Sequence, residues 1–132
     1  MTRMEHAEAL DAITTLLAAY CLRMDRGDAE GWADLFTEDG QFFAFGRSFD
    51  GREGLTNMAR EARGGIHLAS APVIEIGDDE ATAQQNFVFV EQVGHKLRIG
   101  FYDDVLVRTP DGWRFRTRRC TFLSAKGPSE RP

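Results

Sequence analysis

The sequence predicts an α+β fold: a cone-shaped barrel in which a curved, mostly antiparallel sheet is closed by three N-terminal helices. Three observations predict it. Apolar residues recur at helical spacing only in the first half of the chain. The second half reads as four long strands separated by short Gly/Asp/Pro turns, an antiparallel meander. The length, 132 residues, suits a single domain around one core. A twisted sheet of this size tends to curl, and helices can cover its open side. The space between them is then a pocket with mostly apolar walls.

The elements follow in order. Thr2-Arg3-Met4-Glu5 is a capping box, and Ile13, Leu16, Leu17, Tyr20 and Met24 form one face of a helix ending near Met24 or Asp25. Gly27 stops it, and Asp28 can cap a second, shorter helix with Trp32, Leu35 and Phe36 as its apolar stripe. Gln41 to Phe45 is a short strand, and Gly46 and Gly51 bracket another extended piece. Arg52 to Ala62 is the third helix, ended by Gly64-Gly65. Strands then run over Ile66–Ile76, Ala81–Val93, Leu97–Arg108 and Trp113–Leu123. The tail from about residue 124 carries Gly127, Pro128 and Pro132 and reads as loose.

Composition excludes several classes of function. With 42% apolar and 28% charged residues the chain is an ordinary globular protein. A net charge of −5 argues against nucleic acid or anionic membrane as a partner. The arginines between Trp113 and Arg119 would divide between two faces of a strand rather than form a basic patch. Cys21 and Cys120 sit in apolar surroundings outside any CxxC pair, which suits buried free thiols in a reducing compartment. Glu5, Glu8 and Asp11 interrupt the N-terminal segment, so no ordinary signal peptide or membrane span is expected, and the expected location is the cytoplasm.

The residue that stands out is Asp25, at the end of the apolar run Leu16 to Leu22. Five residues from Tyr20 correspond to about 140° of helix rotation, so the two share no strict face. Asp25 does lie one turn past Cys21, and an inward turn would bury its carboxylate, which then needs a partner. His67 is the candidate, at the start of a strand just after the third helix, facing with Ala69 away from Ile66 and Leu68. An imidazole with a neighbouring carboxylate is a common general base near neutral pH. A solvated Asp25, a satisfied strand histidine and a plain core tyrosine at Tyr20 remain alternatives. His67 has no companion histidine or cysteine at ligand spacing, so no metal is implied. Gly64-Gly65 is a helix stop, not a phosphate loop, and no cofactor is expected.

A set of residues in order carries a resemblance. It comprises Tyr20-x4-Asp25, Gly27-Asp28, Trp32, Leu35-Phe36-Thr37, Asp39-Gly40, Gly51 to Leu55, His67, Gly100 to Asp104 and Asp111 to Phe115. From about residue 4 to 123 the chain resembles the SnoaL-like branch of the nuclear transport factor 2-like superfamily. The resemblance implies the same cone-shaped α+β barrel. Within it, the pattern is similar to scytalone dehydratase, hexachlorocyclohexane dehydrochlorinase and bile acid 7-alpha-dehydratase, in which an aspartate ending the first helix meets a histidine on the first long strand. Asp25 and His67 match those positions, Tyr20 matches a tyrosine of the bile acid enzyme, and Arg118 matches a last-strand arginine of the dehydrochlorinase. Strict alternation, however, puts Arg118 with Arg114 and Arg116, opposite Trp113 and Phe115, unless a bulge intervenes. The ketosteroid isomerase pattern fits poorly, because Gln41 to Phe45 holds no acid.

The expectation is a cofactor-independent lyase, or an isomerase, acting on a small hydrophobic cyclic substrate. His67 would take a proton from carbon, with Asp25 orienting it. Tyr20 would donate a hydrogen bond or protonate the leaving hydroxyl, and Arg118 would hold a developing anion. The expected pocket walls are Trp32, Phe36, Phe42, Phe45 and Met58. The competing reading is a non-catalytic binding or assembly module of the same fold, which would leave Asp25 or His67 facing water. In either case a homodimer or homotrimer is expected through the open sheet face, drawn from Phe87, Phe89, Phe101, Val105 and Val107.

Overall fold

Both ends of the first helix, α1 (Arg3–Asp25), are fixed by local chemistry. At its start the Thr2 hydroxyl accepts from the Glu5 amide while the Glu5 carboxylate accepts from the Thr2 amide, each at 3.0 Å. At its end Gly27, with φ +74°, reverses the chain. The Gly27 amide donates to the Met24 carbonyl at 3.0 Å and the Asp28 amide to the Arg23 carbonyl at 2.9 Å, a Schellman motif. Asp25 is therefore the last helical residue, held in place by the turn that follows. Ala9, Ile13, Leu16, Leu17 and Tyr20 form the buried stripe of α1. Burying Ile13, Leu16 and Leu17 contributes about 1.5–3 kcal/mol each. That burial is what holds the helix on the sheet.

The computed structural model describes all residues, 1–132. After α1 come α2 (Ala29–Ala33), capped by the Asp28 side chain, then β1 (Phe36–Ala44), β2 (Arg47–Asp50) and α3 (Gly51–Glu61). The remaining strands are β3 (Gly65–Ala69), β4 (Val73–Ile76), β5 (Glu80–Glu91), β6 (Leu97–Thr109), β7 (Gly112–Ser124) and β8 (Gly127–Ser129). They form one curved, unclosed sheet in the order β2-β1-β7-β6-β5-β3, with β4 also on β5 and β8 also on β7. All pairings are antiparallel except β1 with β7. The helices cover the concave face, and the α+β cone expected from the sequence is the observed fold. No helix is long and apolar enough to cross a membrane.

Several local expectations are corrected. Leu35 and Phe36 do not extend α2; the helix ends at Ala33 and Phe36 opens β1. The long strand expected over Ile66–Ile76 is two strands. Pairing passes from Ala69–Phe87 to Val73–Gln84, four steps on one chain against three on the other. The extra residue falls at Ser70-Ala71-Pro72, where proline has no amide to donate. The face turned inward changes there, from His67 and Ala69 to Ile74 and Ile76. The tail is not loose either: Gly127, at φ +106°, turns β8 back onto Phe122, Leu123 and Ser124. Finally, Phe87 and Phe89 are buried inside the cone, so only Phe101, Val105 and Val107 of the expected outer set lie on the convex face.

Two glycines carry steric demands of different kinds. A Cβ on Gly27 would meet nothing within 4 Å, so its substitution strains only the backbone. A Cβ on Gly65 would fall 2.2 Å from the Val90 carbonyl oxygen and 2.7 Å from the Phe89 ring. Gly27→Ala is expected to cost about 1 kcal/mol. Gly65→Ala should cost clearly more, because backbone must move. Urea unfolding midpoints of the two variants check the order.

Candidate active site

Asp25 leaves α1 pointing at the edge strand β3, and both of its carboxylate oxygens are used there. Oδ2 accepts from the His67 backbone amide at 2.9 Å, and Oδ1 lies 2.6 Å from the His67 ring Nδ1. β3 pairs with β5 on one side only, so its outward amide would otherwise lack a partner in the sheet. One side chain thus satisfies a strand edge and fixes a ring. The two side chains are 9% and 15% exposed, Asp25 and His67 respectively. A carboxylate only accepts, so it places the imidazole proton on Nδ1. Nε2 is left with no protein partner, and His67 lines a cavity.

That cavity, about 280 Å³, lies between the helices and the concave sheet. Its walls include Tyr20, Phe42, Phe45, Met58, Phe87 and Phe89, with His67 stacked on Phe89 at 4.4 Å between ring centres. Of the residues expected as walls, Phe42, Phe45 and Met58 are there. Trp32 and Phe36 are not: they pack behind Tyr20, with ring centres 5.5 Å from Tyr20 to Trp32 and 4.9 Å from Trp32 to Phe36. Both belong to the core because α2 ends before Phe36 and turns that ring toward Phe115, 5.1 Å away.

Tyr20 reaches the cavity from α1, and its ring stands edge-on to His67 at 6.3 Å. Burial raises its pKa well above the ordinary phenol value, against a smaller opposing pull from Arg118. It therefore keeps its proton and is able to donate a hydrogen bond. Arg118 is buried but does not line the cavity. Opposite Val105 and Leu106 the β6–β7 register shifts within Phe115-Arg116-Thr117, and the bulge turns Arg118 inward. Its guanidinium sits between the Tyr20 and Tyr102 rings, 4.1 and 3.7 Å from their centres. Nε donates to Asp104 at 2.7 Å and Nη2 to Gln85 at 2.9 Å. Nη1 has no hydrogen-bond partner and is covered by aromatic faces. Arg118 thus lies behind Tyr20, outside the cavity lining.

Cys120 is also at the wall, where burial pushes its thiol up to about 12, so it is not a thiolate. No three His, Cys, Asp or Glu side chains converge at metal-ligand spacing. Several further wall residues escaped the sequence analysis, among them Tyr102 and Arg98, with Arg47, Glu61 and Arg63 also on the wall. Alternation held the signal. Tyr102, Asp104 and Leu106 face inward on β6, so Gly100 and Arg98 do too. Gly100 leaves room for Phe87, whose ring would lie 2.8 Å from a Cβ there and which stacks on Tyr102 at 4.5 Å.

The SnoaL-like domain pattern matches residues 5–119. The chain belongs to the SnoaL-like family. Rv3472 of Mycobacterium tuberculosis, a protein of unknown function solved as an Asp-to-Asn variant, is 32% identical, covering 89% of this chain and 73% of its own, at a TM-score of 0.82. An NTF2-like protein with a cystatin-like fold from Novosphingobium aromaticivorans is 27% identical over 95% of this chain and 90% of its own, at a TM-score of 0.86. A hexachlorocyclohexane dehydrochlorinase, LinA type 2, shares the fold at a TM-score of 0.81, with 16% identity over 93% of this chain and 90% of its own. No protein of curated function matches this SnoaL-like chain.

Burial lowers the pKa of His67 from the ordinary 6.5, although Asp25 opposes the shift. The folded state therefore binds fewer protons than the unfolded state as pH falls below 6.5. Stability held by neutral His67 is fully present above that pH and is lost as pH falls. Between pH 7 and pH 5 the wild type should lose more unfolding free energy than His67→Gln, measured by urea denaturation. Parallel losses would contradict a buried neutral imidazole.

Proposed function

We propose that this SnoaL-like chain is a cofactor-independent lyase that abstracts a proton from carbon and eliminates a β-substituent from a small, largely apolar, cyclic substrate. The observation that carries this reading is the Asp25–His67 pair. Its 2.6 Å contact fixes one imidazole nitrogen and leaves the other free at a cavity wall. A non-catalytic module has no need of that arrangement. The fold shared with a dehydrochlorinase agrees with the reading without carrying it.

The step balances on this chain's own groups. His67 Nε2 takes the proton from a carbon next to a carbonyl, and the electron pair of that C–H bond forms the enolate. Tyr20 donates a hydrogen bond to the developing oxyanion. The enolate collapses to a C=C bond, the β C–O bond breaks, and the imidazolium returns its proton to the departing hydroxyl as water. Asp25 balances the imidazolium while it lasts. Arg118, from behind Tyr20, favours the same developing negative charge.

Proton abstraction can be read before the substrate is known. Wild-type protein incubated in D2O with a panel of cyclic β-hydroxy ketones should incorporate deuterium next to the carbonyl of at least one member. His67→Ala should lose about 10²–10⁴-fold of that rate. Asp25→Asn should lose nearly as much, because an amide can place the wrong tautomer on the ring. Exchange that survives in His67→Ala, or none across the panel, would end the proposal.

The same reading includes self-association through the convex sheet face. There Leu68, Val88, Ile99 and Leu123 lie in one row across β3, β5, β6 and β7, and three of them are large and exposed. Ile99→Glu is expected to shift a dimer or trimer to monomer by sedimentation velocity. A monomeric wild type, or an unchanged variant, would remove the interface.

A further inference from the structure

Three arginines, Arg47, Arg63 and Arg98, and one acid, Glu61, border the cavity; Arg47 and Glu61 are exposed and Arg63 donates to Glu91, which leaves Arg98 as the half-buried cation whose side-chain donors make no hydrogen bond within the protein. Arg98 lines the cavity, and its side chain is only 21% exposed. Its one charged contact is Nη2 to Glu91 Oε1, at 3.2 Å and without hydrogen-bond alignment. Glu91 has another partner: Arg63 Nη1 donates to both its oxygens, at 3.3 and 3.4 Å. Two guanidinium groups thus share one buried carboxylate, and one positive charge is left over on the cavity side. Arg98 lies 5.7 Å from the Phe45 ring centre and 5.9 Å from that of Phe89, so aromatic faces offset part of its lost hydration. Phe89 is the ring on which His67 stacks, which sets the cation and the candidate base along one aromatic wall.

The position is built rather than incidental. Phe45 is held there by a two-residue turn, Phe45-Gly46, with φ +58° and +70°. A phenylalanine in that region is strained by roughly 1–3 kcal/mol. An asparagine would relieve the turn but would remove the ring under Arg98.

We propose that Arg98 is a specificity residue that binds a carboxylate on the substrate, so that the cavity selects a small cyclic acid over its neutral counterpart. A planar guanidinium with free N–H groups pairs with a carboxylate through two parallel hydrogen bonds. The apolar walls take the ring of the acid, and Phe89 aligns that ring between Arg98 and His67. This substrate class rests on the lyase reading, but carboxylate selection is measured at equilibrium and needs no turnover.

The probes are naphthoate and its neutral isostere naphthamide, titrated into protein carrying 13C-methyl methionine. Met24 and Met58 line the cavity, while Met1 and Met4 are exposed and serve as controls. Naphthoate should shift the Met24 and Met58 methyl signals, leave Met1 and Met4 in place, and bind about tenfold or more tighter than naphthamide. Arg98→Met should abolish that preference while leaving naphthamide affinity within about twofold; Arg98→Lys should restore part of it. Equal affinities in the wild type, a preference that persists in Arg98→Met, or shifts confined to Met1 and Met4 would overturn the proposal. If Arg98→Met proves unfolded by its methyl spectrum, Arg98→Lys decides: a reduced preference for naphthoate supports the proposal, and an unchanged ratio overturns it. The lyase reading fails separately, through absent deuterium exchange in a protein that still prefers naphthoate.

Discussion

The carboxylate of Asp25 ties the helical layer to the sheet, and the candidate site depends on that tie. Its two oxygens go to two different needs of one residue: the edge amide of His67 and the ring of His67. Neither bond would form if α1 ended a residue earlier or later. The Schellman turn at Gly27 sets that end, and the Asp28 cap starts α2 at once. Local backbone chemistry therefore decides where a buried acid emerges. The buried acid in turn decides which imidazole nitrogen faces the cavity. A carboxylate taken from water is costly unless its lone pairs are used, and here both oxygens have partners.

Two inward arginines show how the same residue type is treated differently. Arg118 is enclosed, with Asp104 and Gln85 as partners and tyrosine rings above and below. Burial works against its charge, but Asp104 and the neighbouring phenols outweigh it and raise its pKa further. That is a structural cation paired with an acid and enclosed by rings, with only Nη1 left without a hydrogen-bond partner. Arg98 is less buried, shares its only acid with Arg63, and borders open space. A cation left in that condition marks a wall that can accept an anion at small reorganisation cost.

Much of the architecture was legible in the sequence because it is periodic. The stripe from Ile13 to Tyr20 and the meander from Ala81 to Leu123 announce themselves by spacing. What was not legible lies where the period breaks. The extra residue at Ser70-Ala71-Pro72 changes the inward face between β3 and β4, and the one within Phe115-Arg116-Thr117 does the same to Arg118. Parity counted across either point gives the wrong face. Asp25 and His67 were readable as a pair because each sits at the end of a regular segment with no break between it and the cavity. Trp32 and Phe36 looked like walls because buried aromatics are alike in one dimension; only the three-dimensional end of α2 separates core from cavity. Arg98 was readable in principle from its parity with Tyr102 along β6.

The state of Tyr20 constrains the geometry of any elimination here. A phenol whose pKa is raised by burial is a poorer acid than one in water, so it cannot readily give its proton to a leaving hydroxyl. It can still donate a hydrogen bond, and that is most useful at an oxygen that gains charge, such as an enolate. Cys120, pushed up to about 12, is no better as an acid near neutrality. Glu61 borders the cavity but is exposed, so the half-buried group at the wall that can take a proton and return it is His67. A single residue that performs both transfers must reach the C–H bond and the leaving oxygen from one side of the ring. In the proposed elimination the proton and the hydroxyl would therefore depart from the same face, a syn elimination, and the flat aromatic wall formed by Phe89 beside His67 is the surface against which a ring would present that face.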